Sequence, residues 1–322
     1  MDGFVDAEKT YQVATADSVI ISVCICTYNR GESLERTLDS LAEQNEINLA
    51  AIEVLIVDNN CTDSTKNVVE KFREKLPIRR VTENRQGLAK ARNRAVAEFR
   101  GDVLLFTDDD VRLGAGWLAA YQDAIRRFPN AEYFGGRILP DWGEAKPRWV
   151  GEEPLPLIDG VLVWFDYGVE TRSFRATEPL PFGASFGIKR SLFEKAGLFR
   201  VDLGTGGAGL GRGEETEFLM RARDAGAPGV YVGEALCFHS YDPLRLTLPA
   251  LYYYGMLCGK SHNAIFARKP CGSYWAASSF VLRGLYQIAK GRGDRFRQCI
   301  INAGIEVGTR PEIRGPKRFL VN

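Results

Sequence analysis

The chain has 322 residues, 45% of them hydrophobic, and a formal net charge of +1. That balance excludes a disordered or collagen-like chain, and no stretch reaches the roughly 18 uninterrupted apolar residues of a spanning helix. Near-neutral charge singles out no partner overall, although the residues from 260 onward carry 12 Lys and Arg against 3 Asp and Glu. Such a tail suits either an anionic surface, membrane lipid included, or a solvated basic face. Seven cysteines without a CxxC pair form neither a disulfide framework nor a zinc site,. With an N-terminus that lacks a signal-peptide pattern, this predicts a reducing, cytoplasmic setting, with any membrane contact peripheral and on the inner face.

The first half alternates strand and helix. Residues 19–27 form a β-branched run ending in Tyr28-Asn29-Arg30, and Leu34, Leu38 and Leu41 follow at helical spacing,. A second strand over 52–57 ends at Asp58, after which Thr62, Asp63 and Ser64 offer caps to a helix carrying Val68, Val69 and Phe72,. A short strand around Arg79, Arg80 and Val81 precedes Gly87, which opens an Ala-rich helix reaching Phe99. Residues 103–106 are a fourth strand that runs into Asp108, Asp109 and Asp110. Single helices between strands predict an α/β fold: a doubly wound, mostly parallel sheet of the nucleotide-binding type. The second half reads differently. Pro, Trp and Gly punctuate 140–181, predicting irregular loops and short strands, and 182–189 reads as another strand. A glycine-rich stretch, 204–213, leads into a helix over 214–225, and 246–260 and 278–290 have amphipathic helical spacing. The expected organisation is a tail (1–17), a domain over 18–245 with a nucleotide-binding half (18–112) and an acceptor half (113–245), and a basic helical extension (246–322).

Four successive strands end in polar groups: Thr27-Tyr28-Asn29, Asp58-Asn59-Asn60, Glu83-Asn84 and Asp108-Asp109-Asp110. One such end is ordinary turn chemistry, but four on one edge line a crevice with hydrogen-bonding groups. Asp58 can accept from a base N–H and Asp108 from a ribose hydroxyl, leaving Asp110 for a hard divalent cation and a diphosphate. Arg92 and Asn93 either reach this crevice or lie on an exposed helix face. His239 is either an imidazole ligand to the metal or a structural histidine. Glu214, Glu215 and Glu217 either complement a helix dipole or place a general base at the root of a glycine-rich lid. The GxGxxG match at 204–209 is discounted, because no strand feeds it. Trp142, Trp149, Trp164 and Tyr167 stack on a sugar or, more simply, pack a core.

In order, the segments SVCICTYNRGESLERTLDSL, IEVLIVDNNCTDST, NRQGLAKARNRA, LLFTDDDV and GRGEETEFLMRARDAG resemble the family-2 glycosyltransferases, with a weaker match at CFHSYDPLRLT. The resemblance covers about residues 18–245 and implies the GT-A fold. It also implies inverting transfer of a sugar from a nucleotide-diphosphate sugar, most commonly a UDP-sugar, to a carbohydrate or lipid-linked acceptor. By the same resemblance Thr27, Asn29 and Asp58 hold base and ribose, and Tyr28, Arg30, Asn84, Arg92, Asn93 and Asp109 fall in the nucleotide-binding segments. Asp108 and Asp110 are the outer members of a DxD-type motif, with Asp110 and His239 as ligands to Mg²⁺ or Mn²⁺. Glu215 takes the position of the catalytic base, beside Glu214. A sugar-1-phosphate nucleotidyltransferase would want a basic glycine-rich loop where Thr27-Tyr28-Asn29-Arg30-Gly31 stands. A non-catalytic sensor would have lost its carboxylates, and an NAD-dependent oxidoreductase lacks its first-turn glycines here.

Overall fold

Strands β1 (Ile21–Thr27) and β2 (Ile52–Asp58) are apolar almost throughout because both of their faces are covered,. They belong to a computed structural model that describes residues 21–45, 51–143, 146–152, 156–206, 211–266 and 274–309. The expected tail, the centre of the glycine-rich stretch (207–210) and residues 310–322 lie outside the described residues. Helix α1 (Gly31–Ala42) follows β1, α2 (Thr65–Lys71) follows β2, and α3 (Leu88–Glu98) follows β3 (Ile78–Thr82). Next come β4 (Val103–Thr107), β5 (Val111–Leu113), α4 (Trp117–Arg127) and β6 (Tyr133–Asp141). Short pieces α5 (Ile158–Leu162) and β7 (Arg172–Ser173) precede β8 (Ser185–Lys189), α6 (Arg190–Ala196), α7 (Glu214–Asp224) and β9 (Gly229–Ser240). Three helices, α8 (Leu248–Phe266), α9 (Tyr274–Ala289) and α10 (Gly293–Gly308), complete the described chain.

All but β7 lie along one sheet in the order β3-β2-β1-β4-β8-β6-β9-β5, with β7 paired to β9. The first four are parallel, and β8 joins them antiparallel. Strand order reverses between β1 and β4, so the loops beyond Thr27 and Thr107 open a crevice at the carboxyl edge, where sheets of this kind take their ligands,. One face packs Ile21, Val23 and Ile25 against α1, α2 and α4. The other packs Cys24, Leu104 and Phe106 against Ala89, Ala91 and Ala95 of α3 and Phe218 of α7.

Strand β6 runs through Gly135, Gly136 and Pro140, where the sequence predicts loops from residue 140 onward. Its glycines are enforced by packing: a Cβ on Gly136 would strike Ser185, Tyr121 and the Ala235 carbonyl,. Trp142 and Trp164 meet edge to face at 5.9 Å within a small core that also holds Trp149, Ile158, Leu251 and Ile301. The core reading of these tryptophans is therefore the one the fold adopts.

Helices α8 and α10 approach until backbone meets backbone. A Cβ on Gly255 or Gly259 would run into the carbonyl oxygens of Ile301 and Ile305, and one on Gly304 or Gly308 into those of Tyr252 and Met256. This is reciprocal small-xxx-small packing. No described helix is long and apolar enough to cross a membrane. Gly304→Ala is expected to overpack this seam and cost about 1–3 kcal/mol in urea-unfolding free energy; an unchanged midpoint would show that the helices can separate freely.

Candidate active site

The crevice begins with two asparagines in left-handed backbone, Asn29 (φ 51°) and Asn60 (φ 72°), which a short polar side chain tolerates,. Asn29 Oδ1 accepts from the Thr62 amide at 2.7 Å, tying the loop after β1 to the loop after β2. Asp63 does the same from the other side, accepting from the amide of Gly31 (2.8 Å) and from Thr65 at its own helix start (3.1 Å). Asp58 is buried at the end of β2, accepts from the Cys61 amide at 2.8 Å and pairs with Arg80. Each of its oxygens keeps a second lone pair. Asn59 supplies what sequence reading did not single out. Its buried amide donates to the carbonyls of Glu83 (2.8 Å) and Arg85 (2.9 Å) and accepts from the Gly87 amide (2.8 Å), setting the loop that carries exposed Asn84. Tyr28 is 49% exposed at the mouth.

Beyond β4 the three aspartates divide. Asp109 is buried beside Thr27, and Arg30 Nη1 donates to it at 3.1 Å. Burial and then Asp110 push the Asp109 carboxyl up to about 7, against the pull of Arg30. Asp110 uses its two oxygens differently: Oδ2 accepts from Arg30 at 2.9 Å and lies 3.9 Å from Arg245, while Oδ1 lies 3.4 Å from His239 Nε2. Burial alone would raise Asp110, but His239, Arg30 and Arg245 hold it below the usual carboxylate range. His239 Nε2 is also 3.9 Å from Asp108 Oδ2, and its Nδ1 faces the Ser240 carbonyl at 3.1 Å. Ligand atoms of Asp108, Asp110 and His239 all lie within 4.8 Å of one another. Asp108, expected at the ribose, thus stands with the metal-ligand group. Register explains this: β5 pairs antiparallel with β9, setting Val111 opposite His239. Two carboxylates and an imidazole suit a divalent ion of the Mg²⁺ or Mn²⁺ class. With Nδ1 turned to the Ser240 carbonyl, Nε2 is the ring nitrogen that faces the two carboxylates,.

Arg92 and Asn93 depart from expectation. Arg92 lies not on an exposed face but inside, between α3 and α7. It is 2% exposed, with its guanidinium boxed by Phe106 (5.7 Å), Phe186 (5.3 Å) and Phe199 (6.0 Å). Its Nη1 pairs closely with Glu214 and reaches Glu215 Oε2 at 3.4 Å. The small side chains of α3 and the missing one at Gly183, where a Cβ would meet the guanidinium, make the room. Asn93 is occupied elsewhere: its amide donates to the Phe199 carbonyl and accepts from the Phe199 amide, both at 2.9 Å. Helical periodicity cannot reveal a charge on a buried face, so the sequence carried no signal for either position.

Glu214 and Glu215 open α7 behind Gly213, whose φ of 93° favours glycine,. Glu214 is fully enclosed and Glu215 is the more accessible. Burial, then repulsion from Glu215, push Glu214 up to about 8 against the pull of Arg92. The root of the glycine-rich stretch folds onto α3, where the Leu88 amide donates to the Thr205 carbonyl at 2.8 Å. Gly204 backs the Glu214 carboxyl, where a Cβ would sit 3.2 Å away. On its other side α8 braces the same helix start, Ser261 Oγ donating to the Arg212 carbonyl at 2.9 Å.

Residues 22–197 match the glycosyl transferase family 2 pattern. A succinoglycan biosynthesis protein, ExoM, of Rhizobium meliloti is 27% identical over 80% of this chain and 78% of its own length. A glucosyl-dolichyl phosphate glucuronosyltransferase of Haloferax volcanii is 28% identical over 79% of each chain. Among solved structures, the mannosyltransferase PcManGT of Pyrobaculum calidifontis, bound to GDP-Man and Mn²⁺, superposes with a TM-score of 0.58 at 18% identity, over 94% of this chain and 89% of that one. S. aureus TarS in complex with UDP-GlcNAc gives 0.52 at 16% identity over 88% and 90%. Sheet order, crevice and family pattern agree: the chain belongs to glycosyltransferase family 2 and carries the GT-A fold.

Proposed function

We propose that the chain moves a sugar from a nucleotide-diphosphate donor to an acceptor hydroxyl with inversion, using Mg²⁺ or Mn²⁺ held by Asp108, Asp110 and His239. The observation that carries this reading is the trio itself, whose ligand atoms lie within 4.8 Å of one another beyond the carboxyl end of β4. When bound, the ion would offset the negative charge that builds on the departing diphosphate. Thr27, Tyr28, Asn29, Asp58 and Asn84 line the nucleotide side, with the exposed Tyr28 ring free to stack on a base. Arg30, which also pairs with Asp109, braces Asp110. Glu215 takes the acceptor proton as that oxygen attacks the anomeric carbon and the bond to the diphosphate breaks. One displacement inverts the centre and needs no carboxylate nucleophile. Glu214 and Arg92 position Glu215 and do not touch the acceptor.

The TarS complex with UDP-GlcNAc supports a UDP-sugar, and the PcManGT complex with GDP-Man makes GDP the alternative to test. The Haloferax relative is named for a glucosyl-dolichyl phosphate and the Rhizobium relative for succinoglycan biosynthesis, which supports a lipid-linked or polysaccharide acceptor. A lipid-linked acceptor would bring the protein to a membrane surface as a peripheral visitor.

Titration calorimetry with UDP, GDP, dTDP and CDP, with and without Mn²⁺, is expected to find one nucleotide whose binding needs both the ion and Asp110. Metal-independent binding that survives Asp110→Ala would end the metal assignment. Arg30→Ala, which removes the brace and leaves the three ligands, should weaken Mn²⁺ affinity about 10–100-fold by the same measurement. Glu215→Gln should lower kcat by roughly 10²–10⁴-fold while nucleotide affinity holds; wild-type turnover would move the base elsewhere. The pH dependence of stability gives a further test. A carboxyl raised to about 8 in the native state contributes stability in full below the ordinary carboxylate range,. That contribution is lost as pH rises through about 8. The wild-type melting temperature should therefore fall relative to Glu214→Gln across this window, and a wild type that gains on Glu214→Gln as pH rises would contradict the burial argument.

A further inference from the structure

Helix α9 is apolar on the wrong side. Its inner positions, Ala277, Phe280 and Gly284, face the rest of the hairpin, with Gly284 close against Phe296 and Cys299 of α10. The opposite stripe should be charged on a surface helix. Instead it presents Leu282 (67% exposed), Tyr286 (59%) and Leu285 (53%), flanked by Ile288 and Val281. The helix holds no acidic residue, and its single charge is Arg283. Exposed Lys290, Arg292 and Arg295 continue the basic edge, with Asp294 the lone acid among them.

We infer that this outer face of α9 docks the protein on an anionic membrane surface. An apolar stripe of this width edged by cations is the pattern of a helix that lies in the plane of a bilayer interface, its leucines among the acyl chains and its cations among the head groups. A second copy of the chain fits less well. A twofold contact would set the same stripe, and hence the same basic edge, against itself. The hairpin is also suited to bear such a load. The α8–α10 seam is locked backbone to backbone, and α8 braces the start of α7, so α9 stands on a rigid mount joined to Glu214 and Glu215. On the transferase reading, which this last step requires, docking would hold the base side of the crevice near an acceptor anchored in the same membrane.

The test is flotation of the full-length protein with phosphatidylcholine vesicles, with and without phosphatidylglycerol, at low and high ionic strength. The wild type should float with the anionic vesicles and less so at high salt. Leu282→Glu/Leu285→Glu, both exposed and so expected to fold with an unchanged circular-dichroism spectrum, should lower the bound fraction about tenfold or more. Replacing Lys290, Arg292 and Arg295 with Ser should remove most of the preference for phosphatidylglycerol. Flotation undiminished by Leu282→Glu/Leu285→Glu would overturn the inference, as would no wild-type binding to either vesicle. A wild-type dimer in light scattering that this double variant converts to monomer would assign the face to self-association instead. Nucleotide titration on the same samples keeps the questions apart: docking with no nucleotide binding would sink the transferase mechanism and leave the surface standing.

Discussion

Arg92 is the interaction on which the rest of the site rests. It sits on α3, in the half of the chain that builds the parallel sheet, and its partners Glu214 and Glu215 sit on α7, in the half that builds the antiparallel wing. Burying a guanidinium costs several kcal/mol of hydration. The Glu214 carboxyl in close contact, Glu215 at 3.4 Å and three aromatic faces offset that loss,. The arrangement works only with all partners present, so it fixes the distance between the two halves more sharply than apolar packing would. It also decides which glutamate is available. Glu214 is spent on Arg92 inside the protein, and Glu215, one residue on, turns toward the crevice.

The aspartate cluster follows the same logic. Three consecutive carboxylates at the end of β4 would repel one another, and two of them are largely enclosed. Arg30 from the loop after β1 and Arg245 from the turn after β9 bring two positive charges to Asp109 and Asp110. These guanidiniums offset part of the repulsion that burial and the neighbouring carboxyls impose on Asp109 and Asp110. Because Arg30 and Arg245 address Oδ2 of Asp110 and His239 faces Oδ1, the balancing charges leave the ligand side clear.

The parallel half was legible because its strands are covered on both faces and its helices are short and periodic. Strand runs, turn residues and hydrophobic spacing agree from Ile21 to Thr107. The antiparallel wing was legible only in part: the strand read over 182–189 and the helix read over 214–225 are there as β8 and α7, but β6 was not visible. β6 contains Gly135, Gly136 and Pro140, residues that propensity assigns to loops, and they are there because neighbouring side chains occupy the space a Cβ would need. β9 was visible only in its apolar stretch near Ala235, although it runs for 12 residues. At the site, residue types at strand ends announced a crevice, but not which neighbour each would face. Asp108 stands with His239 because β5 and β9 pair, and that register is a tertiary fact. Asn93 looked like a ligand and serves as a clamp on the Phe199 backbone.

Between these two charge clusters lies a division of labour that constrains how the chain can work. The aspartates hang on loops joined by side chain to backbone links: Asn29 to Thr62, Asp63 to Gly31 and Asn59 to Gly87. The glutamates sit on a helix start braced on one side by Gly204 and Thr205 against α3, and on the other by Ser261 of α8. On the proposed reading, a donor entering at the aspartates would reorder loops without disturbing the helix start that carries Glu215. Glu215 would then be held ready before the acceptor arrives, which lowers the cost of bringing two substrates into line. A shift of α8 would be felt at Glu214 and Glu215 through Arg212 and at Asp110 through Arg245, which lies in the turn that leads into α8. The C-terminal helices are therefore joined to both charge clusters, to the glutamates by Ser261 and to the aspartates by the turn that carries Arg245.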